Sequence, residues 1–243
     1  MLTIDVLDSE GKLLRSEQPF YEVTLQRAKG TMALLVGTLR RLAVHLAAEV
    51  LFVADGALWI WRRIHAALQQ AGIDPQRLSL ALDYYHATEH ISSALNACKN
   101  LSATEREALR KELCGVLLEP RGVETVLERL ASLARGRRGR LVGQHIRYLR
   151  KRVQWMRYSL LRARKLPIGS GTVESAIRRV VNLRFKSASI SWKPQHLEPL
   201  LYLRAILKAG RWDQFFPALL QRRHWLALLA SSAPSAQPIR NIA

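Results

Sequence analysis

Val50-Leu51-Phe52-Val53-Ala54-Asp55-Gly56 is a run of five apolar residues that stops on an aspartate and a glycine. So short a run suits a strand better than a helix, and its unbroken apolarity predicts a strand buried on both faces. Asp-Gly then ends it in a turn. Downstream, Ala57 to Ala71 has helical spacing and closes on Gly72, the residue that best tolerates a left-handed C-terminal position. Leu78 to Tyr85 is a second apolar strand candidate, with Asp83 near its end. Two strands joined through a helix, each delivering an acid near its C-terminal end, follow the logic of an open α/β sheet. Such sheets bind ligands beyond the carboxyl ends of their strands. One Asp-Gly is ordinarily just a turn, but two acids at equivalent positions make a site the stronger reading.

Upstream, Leu2 to Leu7 alternates weakly and ends in the turn signal Asp8-Ser9-Glu10-Gly11. Phe20 to Leu25 is a second β-rich run, so the pair predicts a hairpin. Met32 to Ala48 has helical periodicity through Leu34, Leu35, Leu39, Leu42, Ala43 and Leu46. Beyond His86 strand signals stop. Ala87 to Lys99 continues as helix, and Ser102-Ala103-Thr104-Glu105 is a capping box opening a helix through Leu118. Glu119-Pro120-Arg121-Gly122 breaks it, and Val123 to Ala134 is helical again. After the basic linker Arg135 to Arg140, Leu141 to Arg164 reads as one long basic helix with Ile146, Leu149, Val153, Met156 and Leu160 inward. This all-helical block looks like an insertion. The expected segments are 1–86 for the first part of the α/β core, 87–166 for the insertion and 167–230 for the second part. A Ser-, Pro- and Ala-rich tail at 231–243 is expected to be disordered.

Pro167-Ile168-Gly169-Ser170-Gly171-Thr172-Val173-Glu174-Ser175 reads as a glycine-rich loop running into a helix, with Val173, Ile177, Val180 and Val181 on one face. Glu174 falls in the first turn, where the helix dipole favours a carboxylate. It is the only acid between Glu128 and Glu198, a span with eighteen Lys and Arg. The plain reading is a capped helix start, Glu174 paired to nearby arginines. The sharper one is a metal-binding carboxylate beside polyanionic DNA, sharing its ion with Asp55, with Asp83 as a further candidate. After it come a basic loop from Arg184 to Lys193 and helices at Gln195 to Ala209 and around Trp212 to Gln221.

The chain has 243 residues, 49% of them apolar, enough for a real core, but a net charge of +19 and a pI near 11.0. Such a balance favours nucleic acid over other partners. No apolar run approaches the roughly 18 residues of a membrane span. Asp5, Asp8 and Glu10 break any signal-peptide core. Cys98 and Cys114 are too few for a disulfide framework and read as reduced core residues of a cytosolic protein.

Four constellations could carry chemistry. The first is Asp55 and Glu174, with Asp83: hard carboxylates of the kind magnesium-dependent phosphoryl transfer uses. The second is His86-Ala87-Thr88-Glu89-His90, an H-x-x-E-H spacing that matches a zinc signature; the alternative makes both histidines structural. The third is aromatic: Trp59, Trp61, Trp155 and Tyr158 suit core anchors, while Trp192 in its basic loop suits either packing or stacking on an unpaired base. The fourth is the cationic surface, with thirteen cations and no anion from Arg129 to Lys165. Its candidate DNA contacts are Arg137, Arg138, Arg140, Arg150 and Lys151, then Arg178, Arg184, Lys186 and Trp192.

Asp55-Gly56-Ala57-Leu58-Trp59-Ile60-Trp61, Asp83-Tyr84-Tyr85-His86-Ala87-Thr88-Glu89-His90 and Pro167 to Ala176 occur in that order, with Arg157-Tyr158, Arg184-Phe185-Lys186, Ser191-Trp192 and Arg211-Trp212-Asp213. Together they resemble the DDE transposases of the ISKra type among bacterial insertion sequences, over about Leu2 to Phe216. The resemblance implies an RNase H-like core interrupted by a helical insertion. It implies Mg2+- or Mn2+-dependent cleavage and transfer of DNA strands at insertion-sequence ends, by an oligomer assembled on double-stranded DNA in the bacterial cytoplasm, at the nucleoid. Asp55 matches the second catalytic acid and Glu174 the third. Asp83 and His86 match a D-x-x-H element whose role there is structural, or support for DNA, rather than metal ligation.

One departure stands out. The family's first catalytic aspartate lies on a strand upstream of the segment matching Leu2-Thr3-Ile4-Asp5, and no such strand precedes it here. The expectation is a truncated transposase starting at an internal methionine, with an exposed strand edge and little or no activity, for which Asp5 is the candidate replacement acid. Two other readings stay open: an inactive DNA-binding remnant that co-assembles with intact transposase, and a zinc hydrolase using His86, Glu89 and His90.

Overall fold

The computed structural model describes residues 1–14, 16–98, 101–134, 139–186, 189 and 191–231. In chain order the elements are β1 (Leu2–Ile4), β2 (Phe20–Glu22), α1 (Ala28–Arg41), β3 (Val50–Ala54), α2 (Leu58–Trp61), α3 (Ile64–Gln70), β4 (Leu78–Leu82) and α4 (Tyr84–Ala97). They continue with α5 (Ala103–Val116), α6 (Gly122–Leu133), α7 (Gly139–Arg150), α8 (Tyr158–Ala163), α9 (Gly171–Ile177), α10 (Leu183–Phe185), α11 (Pro194–Lys208) and α12 (Trp212–Ser231). The class is α/β with helices dominant and two two-stranded sheets. No helix among the described residues is long and apolar enough to cross a membrane.

The chain forms two compact units. The larger comprises Val6–Leu14 and Leu25–Ser175. In it β3 and β4 run parallel, paired from Val50↔Leu78 to Ala54↔Leu82, with α2 and α3 as the crossover. Ala81 and Leu82 of β4 are sealed from solvent, whereas every residue of β3 is half-buried. The expectation that β3 is covered on both faces is therefore corrected. Paired among the described residues only with β4, it lacks the neighbours that a fully covered strand needs.

Behind the sheet α4 packs on α5, α6 and α7. Ile91, Ala94 and Leu95 of α4 are buried at the three- and four-residue spacing of a single helix face, and Leu113, Val126, Leu130, Val142 and Leu149 complete that core. Ser102 closes the capping box expected of it: its Oγ accepts from Glu105 N, and the Glu105 carboxylate accepts from Ser102 N at 2.7 Å. Both cysteines are buried free thiols.

Four element boundaries differ from those the periodicity suggests. α1 stops at Arg41 rather than Ala48, because Ala43 enters the left-handed region and a 3-10 turn follows, leaving Leu46 exposed. The 57–71 helix breaks after Trp61, where the Arg63 backbone leaves the helical region. The second strand ends at Leu82 rather than Tyr85, because Asp83 caps α4. The long basic helix is really α7, a 3-10 turn at Val153–Trp155 and α8. Within it Leu160 is exposed and Leu161 is buried, the reverse of the helical projection. The turn exists because Arg152 reaches inward to the Gly56 carbonyl and Tyr158 Oη donates to the Leu82 carbonyl at 3.0 Å. Buried polar groups must find partners, and that demand overrides helix continuity.

The smaller unit comprises Met1–Asp5, Arg15–Thr24 and Ala176–Ala243. β1 and β2 pair antiparallel, Leu2↔Glu22 to Ile4↔Phe20, as the hairpin reading expects. Tyr21, Val23, Ala176, Val180, Leu201, Ala205 and Ala209 form its core. A π-helical turn at Arg178–Asn182 loosens the backbone ladder there. Arg204 donates to the carbonyls of Val180 and Arg179, both at 3.0 Å.

Candidate active site

The acids flagged by the sequence meet the sheet at one end. Asp55 follows β3 directly, and Asp83 follows β4 in the next register position. The Asp83 N–H donates to the Ala54 carbonyl at 2.8 Å, extending the parallel ladder by one bond. Asp83 is 4% exposed and its carboxylate accepts three hydrogen bonds. One oxygen takes the His86 N–H at 3.0 Å and so caps α4. The other takes the Ser170 N–H at 2.6 Å and the Ser170 hydroxyl. A backbone bond from Tyr84 N to the Ile168 carbonyl, 2.9 Å, runs alongside. The glycine loop is thus fastened to the end of β4. Gly169 eases that approach, since a Cβ there would lie 2.8 Å from the exposed Tyr85 ring and force it to shift.

Glu174 stands one helical turn past Ser170, in the first turn of α9. It is exposed, and among the described residues its carboxylate makes no hydrogen bond or ion pair. The arginine pairing of the plain reading is not formed. Nor does the Ser170 side chain serve as a cap, being committed to Asp83.

Asp55 is also exposed, on a turn held from several directions. Its Oδ1 accepts from Ala57 N at 2.9 Å, and Trp61 Nε1 donates to its backbone carbonyl at 2.7 Å. Trp61 stacks on Trp155, ring centroids 4.0 Å apart. Arg152, 4% exposed, donates Nε at 3.2 Å and Nη2 to the Gly56 carbonyl, and Nη1 at 3.0 Å to the Tyr148 carbonyl. Its guanidinium lies 3.7 Å over the Tyr148 ring. The Tyr148 hydroxyl is buried, and among the described residues it has no hydrogen-bond partner. Burial pushes this phenol up to about 12; Arg152 pulls against that and the charge of Asp55 adds to it.

The histidines of the H-x-x-E-H string face different partners. His86 Nδ1 lies 3.3 Å from the Glu89 carboxylate, whereas His90 Nδ1 meets His145 Nδ1 of α7 at 2.9 Å. His90 stacks flat on Tyr148, at 3.5 Å between ring centroids. Burial, then His145, His86 and Arg152, holds His90 down at about 4, so it is neutral at pH 7. Burial lowers His145 as well. Among the described residues no three His, Cys, Asp or Glu side chains group as a metal cage. Asp55 and Glu174 nevertheless suit Mg2+ by donor type. That ion commonly takes one or two carboxylates and completes its shell with water and substrate phosphate.

A groove of about 630 Å³ lies between Glu119–Glu124 and Arg150–Leu160, lined with Arg121, Arg150, Lys151 and Arg157 over Val153 and Met156. Arg140, Arg150 and Lys151 are exposed in the larger unit, and Arg178, Arg184 and Lys186 in the smaller. Arg137 and Arg138 lie outside the described residues, as do Lys99 and the tail beyond Ser231. Trp192 packs edge-on against Phe185, centroids 5.3 Å apart, and among the described residues its buried indole N–H has no acceptor. Asp5 belongs to the smaller unit, where its charge adds to the rise that burial gives the Tyr21 phenol.

Against protein-family models, curated proteins and solved structures, the chain finds no match.

Three participants escaped the sequence reading: Arg152, Tyr148 and His145. Arg152 sits in Arg150-Lys151-Arg152 and looks like solvated charge. The available signal was its spacing, three residues after Leu149 and four after Tyr148, which puts it on the apolar stripe.

Proposed function

We propose that the chain is a metal-dependent DNA strand-cleavage and strand-transfer domain of the DDE transposase kind, with an RNase H-like core and a helical insertion carrying the cationic surface. The observation that carries this reading is the shared anchoring of the two acids. Asp55 leaves β3 beside the Ala54 carbonyl that accepts from Asp83, and Asp83 in turn holds Ser170, one helical turn from Glu174. Both acids are exposed and lightly engaged, as groups meant for a cation and a phosphate should be.

Asp55 and Glu174 would hold Mg2+ or Mn2+, which supplies Lewis-acid neutralisation of charge at a scissile phosphate. Asp83 orients the loop before Glu174. His90, neutral and stacked, joins α4 to α7 and so braces the face from which Tyr148 and Arg152 reach Gly56. Arg150, Lys151, Arg157 and Arg121 offer positive charge to a phosphodiester backbone, releasing counterions as it docks. The cytoplasmic, nucleoid-bound oligomer on double-stranded insertion-sequence ends belongs to the same proposal.

A second reading, a DNA-binding remnant without catalysis, is favoured by the lack of a third clustered acid among the described residues. Supercoiled plasmid nicking in Mg2+ or Mn2+ separates the two. The transposase reading expects Asp55→Asn or Glu174→Gln to lower the rate by about 10³-fold, the worth of several kcal/mol of charge stabilisation. It expects DNA affinity to stay within a few-fold. Nicking that survives both substitutions, or that is absent from the wild type while salt-sensitive DNA binding persists, rejects the catalytic reading.

A further inference from the structure

We propose that Arg152 is a positioning residue for Asp55: by holding the Gly56 carbonyl from inside, it fixes the direction in which the Asp55 carboxylate leaves the strand. The proposal rests on the reading that Asp55 carries the chemistry.

Four observations lead to it. First, Arg152 is buried at 4% exposure while its chain neighbours Lys151 and Arg150 are exposed. A cation is not taken out of water for packing alone. Second, no carboxylate of the described residues lies within ion-pair reach of it; its donors go to backbone carbonyls, two of them to Gly56. An apolar side chain of similar volume often replaces a buried charge at no loss of stability, so an arginine here answers another demand. Third, Tyr148 packs against the turn from the same side as Arg152, so that a Cβ on Gly56 would meet both. Tyr148 Oη occupies the space beside Gly56, where a Cβ would stand 1.3 Å from it. The guanidinium itself is locked over the Tyr148 ring. Fourth, the remaining atoms of the turn are also tied, the Asp55 carbonyl by Trp61 Nε1 and Asp55 Oδ1 by Ala57 N. With the carbonyls of residues 55 and 56 both held, the backbone that places the Ala57 N–H under Asp55 Oδ1 is fixed, and a site of this kind works only when held to within a fraction of an ångström.

The Ala57 amide is a built-in reporter, because it donates to the Asp55 carboxylate. The test uses the full chain with Arg152→Met, Arg152→Lys and, as a charge-loss control, Lys111→Met on the exposed face of α5. It reads amide hydrogen exchange at Gly56 and Ala57, Trp61 fluorescence, and kcat and KM for Mn2+-supported nicking. Arg152→Met should speed exchange of the Ala57 amide by about tenfold or more, the loss of one ordinary hydrogen bond's worth of restraint. It should lower kcat by about 100-fold, with KM for DNA unchanged. Arg152→Lys, which keeps the charge but not the fork, should recover part of both, and Lys111→Met should move neither. If Arg152→Met does not fold, Arg152→Lys carries the test, with smaller changes of the same sign. Unchanged Ala57 exchange in the folded variants overturns the proposal, as does a loss confined to KM or one matched by Lys111→Met. If the wild-type chain does not nick at all, the functional reading fails separately. The exchange result alone then decides whether Arg152 holds the Asp55 turn.

Discussion

Asp83→Asn removes one charge and replaces one oxygen while leaving the volume of the side chain almost unchanged. Asparagine is as good a helix cap as aspartate, so the bond from His86 N to Oδ1 survives. The other terminal atom becomes an NH2 group facing the Ser170 N–H and hydroxyl. The hydroxyl can rotate and accept. The amide cannot, and a part-buried N–H loses its acceptor at 2.6 Å. A hydrogen bond to a charged group contributes about 1.5–3 kcal/mol, and stranding a buried donor costs about 1–3 kcal/mol. These overlap, so about 2–3 kcal/mol is expected for the single substitution. For a protein of this size that is a fall in melting temperature of roughly 4–10 °C. Calorimetry reads the fall, and hydrogen exchange localises it: the Ser170 amide should lose protection first, with the core amides of α4 following only at the global limit. Ser170→Ala loses the hydroxyl alone and should cost about 1 kcal/mol, less than additively with Asp83→Asn because the two share one contact. A melting point unmoved by Asp83→Asn, with Ser170 protection intact, would show that the loop is not held through this carboxylate and would remove the anchor from Glu174.

Gly56→Ala places a methyl group where Tyr148 Oη already is; urea unfolding should show a loss of about 1–3 kcal/mol, and Tyr148→Ala should relieve part of it. Stability should rise with pH between about 4 and 6.5, because His90 takes up its proton more readily unfolded than folded. His145 adds in the same direction. His90→Phe keeps the stack on Tyr148 and should flatten that slope in pH-dependent thermal melts; a slope unchanged by the substitution refutes the assignment. DNA affinity should fall linearly on a log–log plot against salt, and Arg150→Ala with Lys151→Ala should reduce the slope by about 0.9 for each phosphate contact removed, as filter binding at several salt concentrations reads.

What could be read from the chain was what neighbouring residues decide among themselves. β3 is legible because five apolar residues ended by Asp-Gly admit few alternatives, and the Ser102 capping box because its two hydrogen bonds span only three residues. The α7–α8 segment was misread for the opposite reason. Its periodicity carries straight through Arg152, and what breaks the helix is a carbonyl at residue 56, ninety-six positions away. Leu160 and Leu161 exchange places as a consequence. The same limit applies to the candidate site. Asp55 and Glu174 could be named from their local settings, a strand end and a helix start. The link between them, Asp83 to Ser170 across eighty-seven positions, belongs to no local pattern. The H-x-x-E-H string shows the converse error of reading too much into local spacing. His90 turns to His145, a residue that the string does not contain.

The saturation of Asp83 also decides which acid can serve a cation. A carboxylate offers about four lone-pair positions. Three of those on Asp83 are taken by donors fixed in the backbone or beside it, and the residue is buried. To ligate a metal through Oδ2, Asp83 would have to surrender Ser170 and with it the loop that leads to Glu174, and the one position left, on Oδ1, belongs to a side chain sealed from solvent. Asp55 has the opposite profile: one oxygen on Ala57 N, no second hydrogen bond at its carboxylate among the described residues, and solvent beyond. The proposed division of labour, a buried acid that holds and exposed acids that take the cation, predicts a measurable asymmetry. Mn2+ affinity, followed by the electron paramagnetic resonance of the free ion, should drop sharply in Asp55→Asn at full thermal stability. In Asp83→Asn it should drop only as far as the Ser170 amide loses protection. Equal losses in the two variants, with the loop still protected in Asp83→Asn, would mean that Asp83 touches the metal itself and that its role as a fastener has been misassigned.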